Sequence, residues 1–414
     1  MRDLIIVRGA PASGKSSWIA GTGLAPYAVS PDAARAMFSC PIADQTTGII
    51  GPNMRNEHLV WSYVKDAVEL RMRMGQFIVL DTQASMYHTW LELAKKYRYK
   101  VWVKEINTPK EICLKRNAKR RGSVRLPDYA MEQAFMWLEN HKLPAYVEPV
   151  TDEVVQGIVK PVNCDQYERI HFCGDIHSCI QPLRQFHKET KGFPETDLIV
   201  FVGDYIDRGL AHKETLEFLV SLREKPNIIF LEGNHQGELR WANNQVADIR
   251  SQEFLTNTMP ALKGVDKRTV KEWCAKWKQM AYLEFHGRRF FVTHAGLGYL
   301  PTHIRRTPTN LFIRCDRYEA DIDRAWCEQC YGSNLIQVHG HRNWYGYRME
   351  DTGESINLNS PVEFGDDWRV YTVSADGTDE YHYYSNPDHR EINSSLAEFM
   401  AEPNVIIEEK HNGK

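Results

Sequence analysis

The chain has 414 residues, more than one hydrophobic core usually serves, so two domains are expected. With 43% apolar and 25% charged residues and a formal net charge of −3, it reads as a soluble globular protein rather than one that coats nucleic acid with a global positive field. No apolar run is long enough to span a bilayer, Met1-Arg2-Asp3 lacks a signal peptide's regions, and nine cysteines without framework spacing fit reduced thiols, so a cytoplasmic protein without membrane partners is expected.

Asp3 to Val7 is a short apolar strand that runs into Gly9-Ala10-Pro11-Ala12-Ser13-Gly14-Lys15-Ser16. This is Walker A spacing with a strand before it and a helix after it. The candidate nucleotide-binding positions are Gly9, Ala12, Ser13, Gly14, Lys15, Ser16 and Ser17. Loop amides would surround the phosphates, Lys15 would reach the β and γ oxygens, and the Ser16 hydroxyl would take a place on magnesium. The next strand, Tyr27-Ala28-Val29, ends at Ser30-Pro31-Asp32, where Ser30 suits an N-cap and Pro31 the first helical position. A carboxylate there faces the P-loop and would accept a proton from an attacking hydroxyl, although an acid at a helix N-terminus is often only a dipole partner. Arg35 follows one turn later.

A helical stretch from about Asn53 to Met74 leads to the strand Phe77 to Leu80, which ends at Asp81-Thr82. That acid suits a Walker B role, holding magnesium through water. A further helix and strand end near Glu105. Thr108-Pro109 then opens a helix whose Arg116 and Arg120, four apart, are expected on one face, able to clamp donor phosphates as a lid. The surrounding run Lys110, Lys115, Lys119, Arg121 and Arg125 concentrates positive charge, usually the mark of a solvated helix face.

Lys115 to Arg120, the Asp32 and Arg35 pair, Asp81-Thr82, and Leu143-Pro144-Ala145-Tyr146 together resemble the T4-type phage polynucleotide 5′-kinase domain over residues 1 to about 150. The resemblance implies an adenylate-kinase-like P-loop fold with a parallel sheet, and transfer of the ATP γ-phosphate to a 5′-hydroxyl of RNA or DNA. By motif position Asp32 would be the general base. Arg35, with Thr82, would contact the acceptor, and Arg116 and Arg120 the donor phosphates. ATP and Mg²⁺ are the cofactors implied.

The stretch from Pro149 to Cys164 lacks a clear period, so a boundary is expected near residue 160, giving a first domain over 1–155, a second over 165–385 and a polar tail over 386–414 with one short helix around Ser395 to Met400. In the second domain, apolar runs end in Gly174-Asp175-Ile176-His177, Gly203-Asp204-Tyr205-Ile206-Asp207-Arg208-Gly209, Gly233-Asn234-His235, Thr293-His294-Ala295-Gly296 and His339-Gly340-His341. Short apolar runs that stop in Gly and a carboxylate read as buried strands delivering ligands to one sheet edge.

These five blocks resemble the calcineurin-like metallophosphoesterases over roughly 165 to 375, which implies an α/β sandwich. Asp175 and His177 would hold one ion, Asp204 would bridge to a second, and Asn234, His294 and His341 would complete it. Two ions so placed favour in-line attack on phosphorus, and oxygen and nitrogen donors suit divalent transition metals such as Mn²⁺. The resemblance makes His235 the acid that protonates the leaving group, Asp207 its orienting partner and Arg208 a phosphate ligand. Gly340-His341-Arg342-Asn343 lacks the second histidine of many such enzymes, leaving His341 as the ligand and His339 either behind the ligands or merely polar. Asn359-Ser360-Pro361 departs from the Asp-Thr-Gly of bacterial kinase–phosphatase repair proteins.

The remaining features carry less. Cys327 and Cys330 have a zinc or redox spacing, but only Cys315 lies upstream, so free thiols are expected. His187, His212 and His286 sit in no motif. Gln236 to Met280 reads as a helical insertion over the phosphatase site, whose Trp241, Trp273 and Trp277 are core residues more often than base-stacking platforms.

The combined signatures imply an end-healing enzyme that phosphorylates 5′-hydroxyl ends and removes 3′-phosphates, including 2′,3′-cyclic ones as an open extension. It would leave sealing to a separate ligase in a bacterial or phage-infected cytoplasm. Monomer and homo-oligomer both stay open. The alternatives are a small-molecule kinase fused to a protein phosphatase-like or dinucleoside polyphosphate hydrolase domain, and a regulatory protein in which bound ATP gates the phosphatase.

Overall fold

The computed structural model describes residues 1–43, 50–51, 53, 55–82, 87–120, 125–315, 320–342 and 354–390. Arg121, Asn343 and the expected helix at Ser395 to Met400 lie outside them. The chain forms two compact units: Met1–Val159 with Pro301–Asn310, and Lys160–Leu300 with the residues from Leu311 onward.

In the first unit the order is β1 (Asp3–Arg8), α1 (Lys15–Gly21), β2 (Ala28–Val29), α2 (Pro31–Phe38), the pair β3 (Ile42–Ala43) and β4 (Ile50–Gly51), α3 (Glu57–Arg73), β5 (Ile78–Asp81), α4 (Tyr87–Tyr97), β6 (Lys100–Glu105), α5 (Lys110–Lys119), α6 (Asp128–Asn140), β7 (Glu148–Pro149) and α7 (Asp152–Gln156). The sheet runs β2-β5-β1-β6-β7, with every neighbouring pair parallel. Leu4 and Ile6 of the central β1 pack on one face with Val64 and Val68 of α3 and Trp90 of α4. Ile5 and Val7 pack on the other face with Ile19 of α1 and Val154 of α7. Burial on both faces is why this strand is a continuous apolar run rather than an alternating one.

Two expectations change. The helix expected from Asn53 starts at Glu57, after Asn56 at its N-cap. Arg120 is not on the helix of Arg116: α5 stops at Lys119 and Arg120 is extended, with φ −69° and ψ 149°.

The second half of the chain continues with β8 (Val162–Asn163), β9 (Arg169–Cys173), α8 (Ile180–Glu189), β10 (Asp197–Phe201), α9 (His212–Ser221), β11 (Ile228–Phe230), α10 (Gly237–Ala242), α11 (Met259–Ala261), α12 (Lys267–Ala275), β12 (Ala281–Phe285), β13 (Arg288–Val292), α13 (Thr309–Arg314), α14 (Ile322–Cys330), β14 (Leu335–His339), β15 (Ser355–Asn357), β16 (Trp368–Ser374) and β17 (Asp379–Tyr384). Two mixed sheets, β11-β10-β9-β16-β17 and β15-β14-β13-β12-β8, form a sandwich. Phe172, Val200 and Tyr371 of the first meet Phe290, Val292 and Val338 of the second across a shared apolar layer.

The outer face of the first sheet is covered by α8, α9 and α12 through Phe186, Leu216 and Trp273. Trp241, Trp273 and Trp277 are all buried in this layer, with the Trp273 and Trp277 ring centroids 4.9 Å apart. Their burial leaves no ring face for a base, so the core reading holds and the stacking alternative falls.

Candidate functional sites

The strand-to-helix loop of the first unit closes around its own backbone. Gly14 has φ 112° and Ala12 φ 61°, left-handed conformations that bend the loop. Lys15 Nζ donates to the carbonyls of Gly9 and Ala10 at 3.0 Å each. Burial lowers its pKa, against the opposing pull of Asp81 and Asp32. Ser16 Oγ donates to Asp81 Oδ2 at 2.7 Å, joining the two positions expected to share magnesium. A cleft of about 360 Å³ opens beside the loop, lined by Ala12, Ser13, Gly14, Ser17, Thr108, Arg116 and Arg120. Arg120 therefore reaches the cleft from the segment after α5. Arg116 Nη1 donates to Ser13 O at 3.1 Å, and Thr108 Oγ1 to the same carbonyl at 2.7 Å. The buried Ser13 Oγ has no hydrogen-bond partner. A polar, cationic cleft with an unsatisfied hydroxyl at its wall fits a bound polyphosphate.

At the neighbouring strand end, Ser30 Oγ accepts from the Asp32 amide at 3.2 Å and caps α2. The Asp32 side chain is 78% exposed and pairs with Arg35 Nη1. Arg35 is also held from behind by Glu57, Nε to Oε1 at 2.5 Å and Nη2 to Oε2 at 2.8 Å, and the first of these bonds chiefly raises its pKa. Sequence reading missed Glu57; an acid opening a helix gives no cue that it faces an arginine 22 positions earlier. Thr82 is buried beside the end of β5.

In the second unit the five blocks meet at the carboxyl ends of β9, β10, β11, β13 and β14. His177, Asp204 and His235 place one donor atom each within 4.8 Å of one another, as do Asp204, His294 and His341, and Asp204 is common to both groups. His294 Nε2 lies 3.3 Å from Asp204 Oδ2 and 2.9 Å from Asn234 Oδ1. Asp175 Oδ2 accepts from the His341 amide at 2.9 Å, while Asp175 Oδ1 and His177 Nδ1 are buried without hydrogen-bond partners. Orphaned buried donor atoms around a shared carboxylate fit divalent cations, and no thiolate intrudes.

Burial raises the Asp175 pKa to about 6, with Asp204 adding to the rise. Burial alone would also raise Asp204, but the charges of His294, His235 and His177 carry it well below the ordinary carboxylate value. Burial depresses His177 and, with His294, takes His341 to about 3, which favours the neutral imidazole a metal ligand needs, whereas at His294 the opposing pull of burial is outweighed by Asp204 and Asp175, which raise it.

His235 stands beside the cluster with Nδ1 donating to Asp207 Oδ2 at 2.8 Å. Asp207 Oδ1 accepts from Thr258 Oγ1 at 2.5 Å. Arg208 Nη2 is 3.4 Å from His235 Nε2. The imidazole is thus held at both ring nitrogens, by Asp207 at Nδ1 and by Arg208 at Nε2. Sequence reading missed Thr258, which arrives from the helical insertion, and Glu363, whose Oε1 lies 3.3 Å from Arg208 Nη1.

His339 points away from the donor groups. Its Nε2 is 2.8 Å from Asp323 Oδ1, in a buried pair beneath the His341 turn. His212 Nδ1 meets Ser178 Oγ at 2.8 Å, and His187 packs edge-on against Phe193 and Phe218. Among the described residues, which include all nine cysteines, no disulfide forms, Cys327 and Cys330 included. Among the described residues no helix is long and apolar enough to cross a membrane.

Residues 168–382 match the calcineurin-like phosphoesterase family and residues 4–141 match an AAA domain. The chain belongs to the calcineurin-like phosphoesterases, with a P-loop-type AAA domain preceding the phosphoesterase domain. Among curated proteins it is similar to the symmetrical bis(5′-nucleosyl)-tetraphosphatase of Pseudomonas fluorescens (strain SBW25), 30% identical over 124 residues, which are 30% of this chain and 41% of the relative. The enzyme of that name from Pseudomonas syringae pv. syringae (strain B728a) is 27% identical over 176 residues, 42% of this chain and 54% of the relative. The chain thus spans about half or less of the length of these relatives. Among solved structures, a protein serine/threonine phosphatase from Saccharomyces cerevisiae aligns over 58% of this chain and 87% of its own at 15% identity and TM-score 0.38. A cold-active protein tyrosine phosphatase aligns over the same shares at 15% identity and TM-score 0.37.

Proposed function

We propose that this chain heals nucleic-acid ends: its first unit transfers the ATP γ-phosphate to 5′-hydroxyl ends, and its second removes phosphate from 3′ ends. The observation that carries the kinase half is the exposed Asp32 carboxylate at the carboxyl end of β2, its charge felt by Lys15 against the lowering that burial imposes on that amine, and tied to Arg35, which Glu57 anchors. A solvent-facing acid held at the phosphate-binding edge suits an acceptor too large to be enclosed. It would take the proton of the attacking hydroxyl while Arg35 turns a guanidinium edge to the acceptor's adjoining phosphate. Lys15, Arg116 and Arg120 neutralise charge on the donor as it leaves.

In the phosphatase half, Asp175, His177, Asp204, Asn234, His294 and His341 would hold two divalent cations, which supply a nucleophilic hydroxide and polarise the phosphoryl oxygens. Arg208 orients the phosphate. His235, its Nδ1–H on Asp207, delivers a proton from Nε2 to the departing oxygen. The reaction leaves a 3′-hydroxyl, the end that a ligase consumes together with the 5′-phosphate.

Incubating the full chain with labelled ATP and a 5′-hydroxyl oligonucleotide tests the first half, and release of phosphate from a 3′-phosphate oligonucleotide with Mn²⁺ the second. Absence of label on the oligonucleotide overturns the kinase reading. One observation favours a second reading for the phosphoesterase alone, its similarity to symmetrical bis(5′-nucleosyl)-tetraphosphatases. Conversion of a dinucleoside tetraphosphate to nucleoside diphosphates, faster than release of 3′-phosphate, would select it.

A further inference from the structure

Arg208 sits in a turn whose Asp207 and Arg208 have φ 80° and 62°, both left-handed without being glycine, closed by the Gly209 amide on the Asp207 carbonyl at 2.7 Å. Two residues far along the chain converge on this turn. Glu363, 1% exposed, lies in the connection between β15 and β16 and sets Oε1 3.3 Å from Arg208 Nη1. Arg390 donates its backbone amide to the Glu363 carbonyl at 2.8 Å, its Nη2 to the Gly209 carbonyl at 3.3 Å, and pairs with Glu253 at 3.2 Å. Arg208, Glu363, Arg390 and Gly209 therefore form a closed ring, with side-chain links on one side and backbone links on the other. Asn386 ties the strap to the same connection by donating to Val362 O at 3.0 Å.

We infer that Glu363 is the positioning residue for Arg208, holding its guanidinium toward the phosphate site, and that Arg390 is the strap that closes the ring and keeps the Asp207-Arg208-Gly209 turn in its strained conformation. A long arginine beside a catalytic imidazole has many rotamers, and fixing it in advance removes an ordering cost from phosphate binding. Arg208 Nη1 lies 3.3 Å from Glu363 Oε1 and Nη2 3.4 Å from His235 Nε2, so the guanidinium is held between the buried carboxylate and the imidazole proposed to act on the leaving oxygen.

The inference rests on the reading of Arg208 as a phosphate ligand and does not need a nucleic-acid substrate, so it is tested with p-nitrophenyl phosphate and Mn²⁺ on the full chain. Glu363→Ala is expected to raise KM and the inhibition constant of inorganic phosphate together by about ten-fold or more, the range for losing a hydrogen bond to a charged group. Metal content should be unchanged. Arg390→Ala is expected to move both constants the same way by a smaller factor. In an Arg208→Ala background, Glu363→Ala is expected to add nothing, whereas a purely structural role would lower activity further in that background. Glu363→Leu, which keeps much of the side-chain volume but removes the acceptor, supplies the same readings if the alanine variant melts early. Wild-type KM and phosphate inhibition in a folded Glu363 variant, or additive losses with Arg208→Ala, overturn the inference. A wild-type chain active on p-nitrophenyl phosphate but inert on 3′-phosphate ends would sink the end-healing reading and leave this one standing.

Discussion

At the level of single residues, the phosphoesterase site is built by bringing backbones closer than most side chains permit. His177, Asp204, Asp207, Arg208 and His341 all have positive φ, an expensive cluster for non-glycine residues, and the glycines among them make room. A Cβ on Gly340 would overlap Asp175 Oδ1, and one on Gly233 would overlap Asp204 Oδ1. Neither glycine has a left-handed φ, so their role is clearance and not torsional freedom. Gly340→Ala is therefore expected to yield a folded chain that retains less metal and loses most phosphatase activity, measured by elemental analysis and p-nitrophenyl phosphate turnover; full metal content would contradict it. The proposed ligands were legible in the sequence because each follows the end of an apolar strand within four residues. Glu363 and Thr258 were not, because each reaches the site from a connection whose path no local pattern specifies.

Elements decide whether those residues stay where they are needed. Thr258 ends the π-helical turn Phe254–Thr258, an uncommon geometry often found at functional positions, and its hydroxyl is the second partner of the buried Asp207. Thr258→Val leaves that carboxylate oxygen unsatisfied, which costs about 1–3 kcal/mol. Misorienting the Asp207–His235 pair is expected to lower kcat by about ten-fold with KM little changed, since the loss falls on proton delivery. Unaltered kcat would remove Thr258 from the assembly.

In the first unit the corresponding tie is Glu69 on α3, which accepts from Tyr97 Oη at 2.7 Å and Lys96 Nζ at 2.9 Å on α4. The Tyr97 hydroxyl first, then Lys96, lowers its pKa from 4.5 to about 2. A depressed carboxylate stabilises the fold above its unfolded pKa and loses that contribution as pH falls from about 4.5 toward 2. Allowing for solvent around the pair, about 1 kcal/mol is at stake. Glu69→Gln should then melt earlier than wild type at pH 7 and converge with it near pH 2; a constant gap would refute the link. Here the periodic α3 and the buried β1 and β5 were readable from pattern. The end of α5 was not: the Lys and Arg run continues smoothly past Lys119, and only the structure shows Arg120 turning extended into the cleft.

On the scale of the whole molecule, each unit gathers its own set of the groups proposed to react. The first sets Arg116 and Arg120 on a cleft beside the loop that carries Lys15 and Ser16, with Ser16 bonded to Asp81, and the second gathers its donor groups around Asp204. If these are separate machines, damage to one leaves the other running. Asp32→Ala deletes the proposed proton acceptor, worth about 100-fold or more in a proton-transfer step. It should abolish transfer to 5′-hydroxyl ends while phosphate release continues at the wild-type rate. Asp204→Ala removes the carboxylate common to both donor groups and should do the reverse, with loss of bound metal as an independent reading. Lys15→Ala discriminates further: a regulatory P-loop would alter phosphatase turnover when nucleotide binding is lost, whereas independent catalysis leaves it unchanged. Because both reactions are assayed on one preparation, unfolding would announce itself as the joint loss of activities and an early melt. A folded Asp32→Ala or Asp204→Ala chain that had lost both activities would show that the two chemistries draw on common residues, and the division argued here would have to be abandoned.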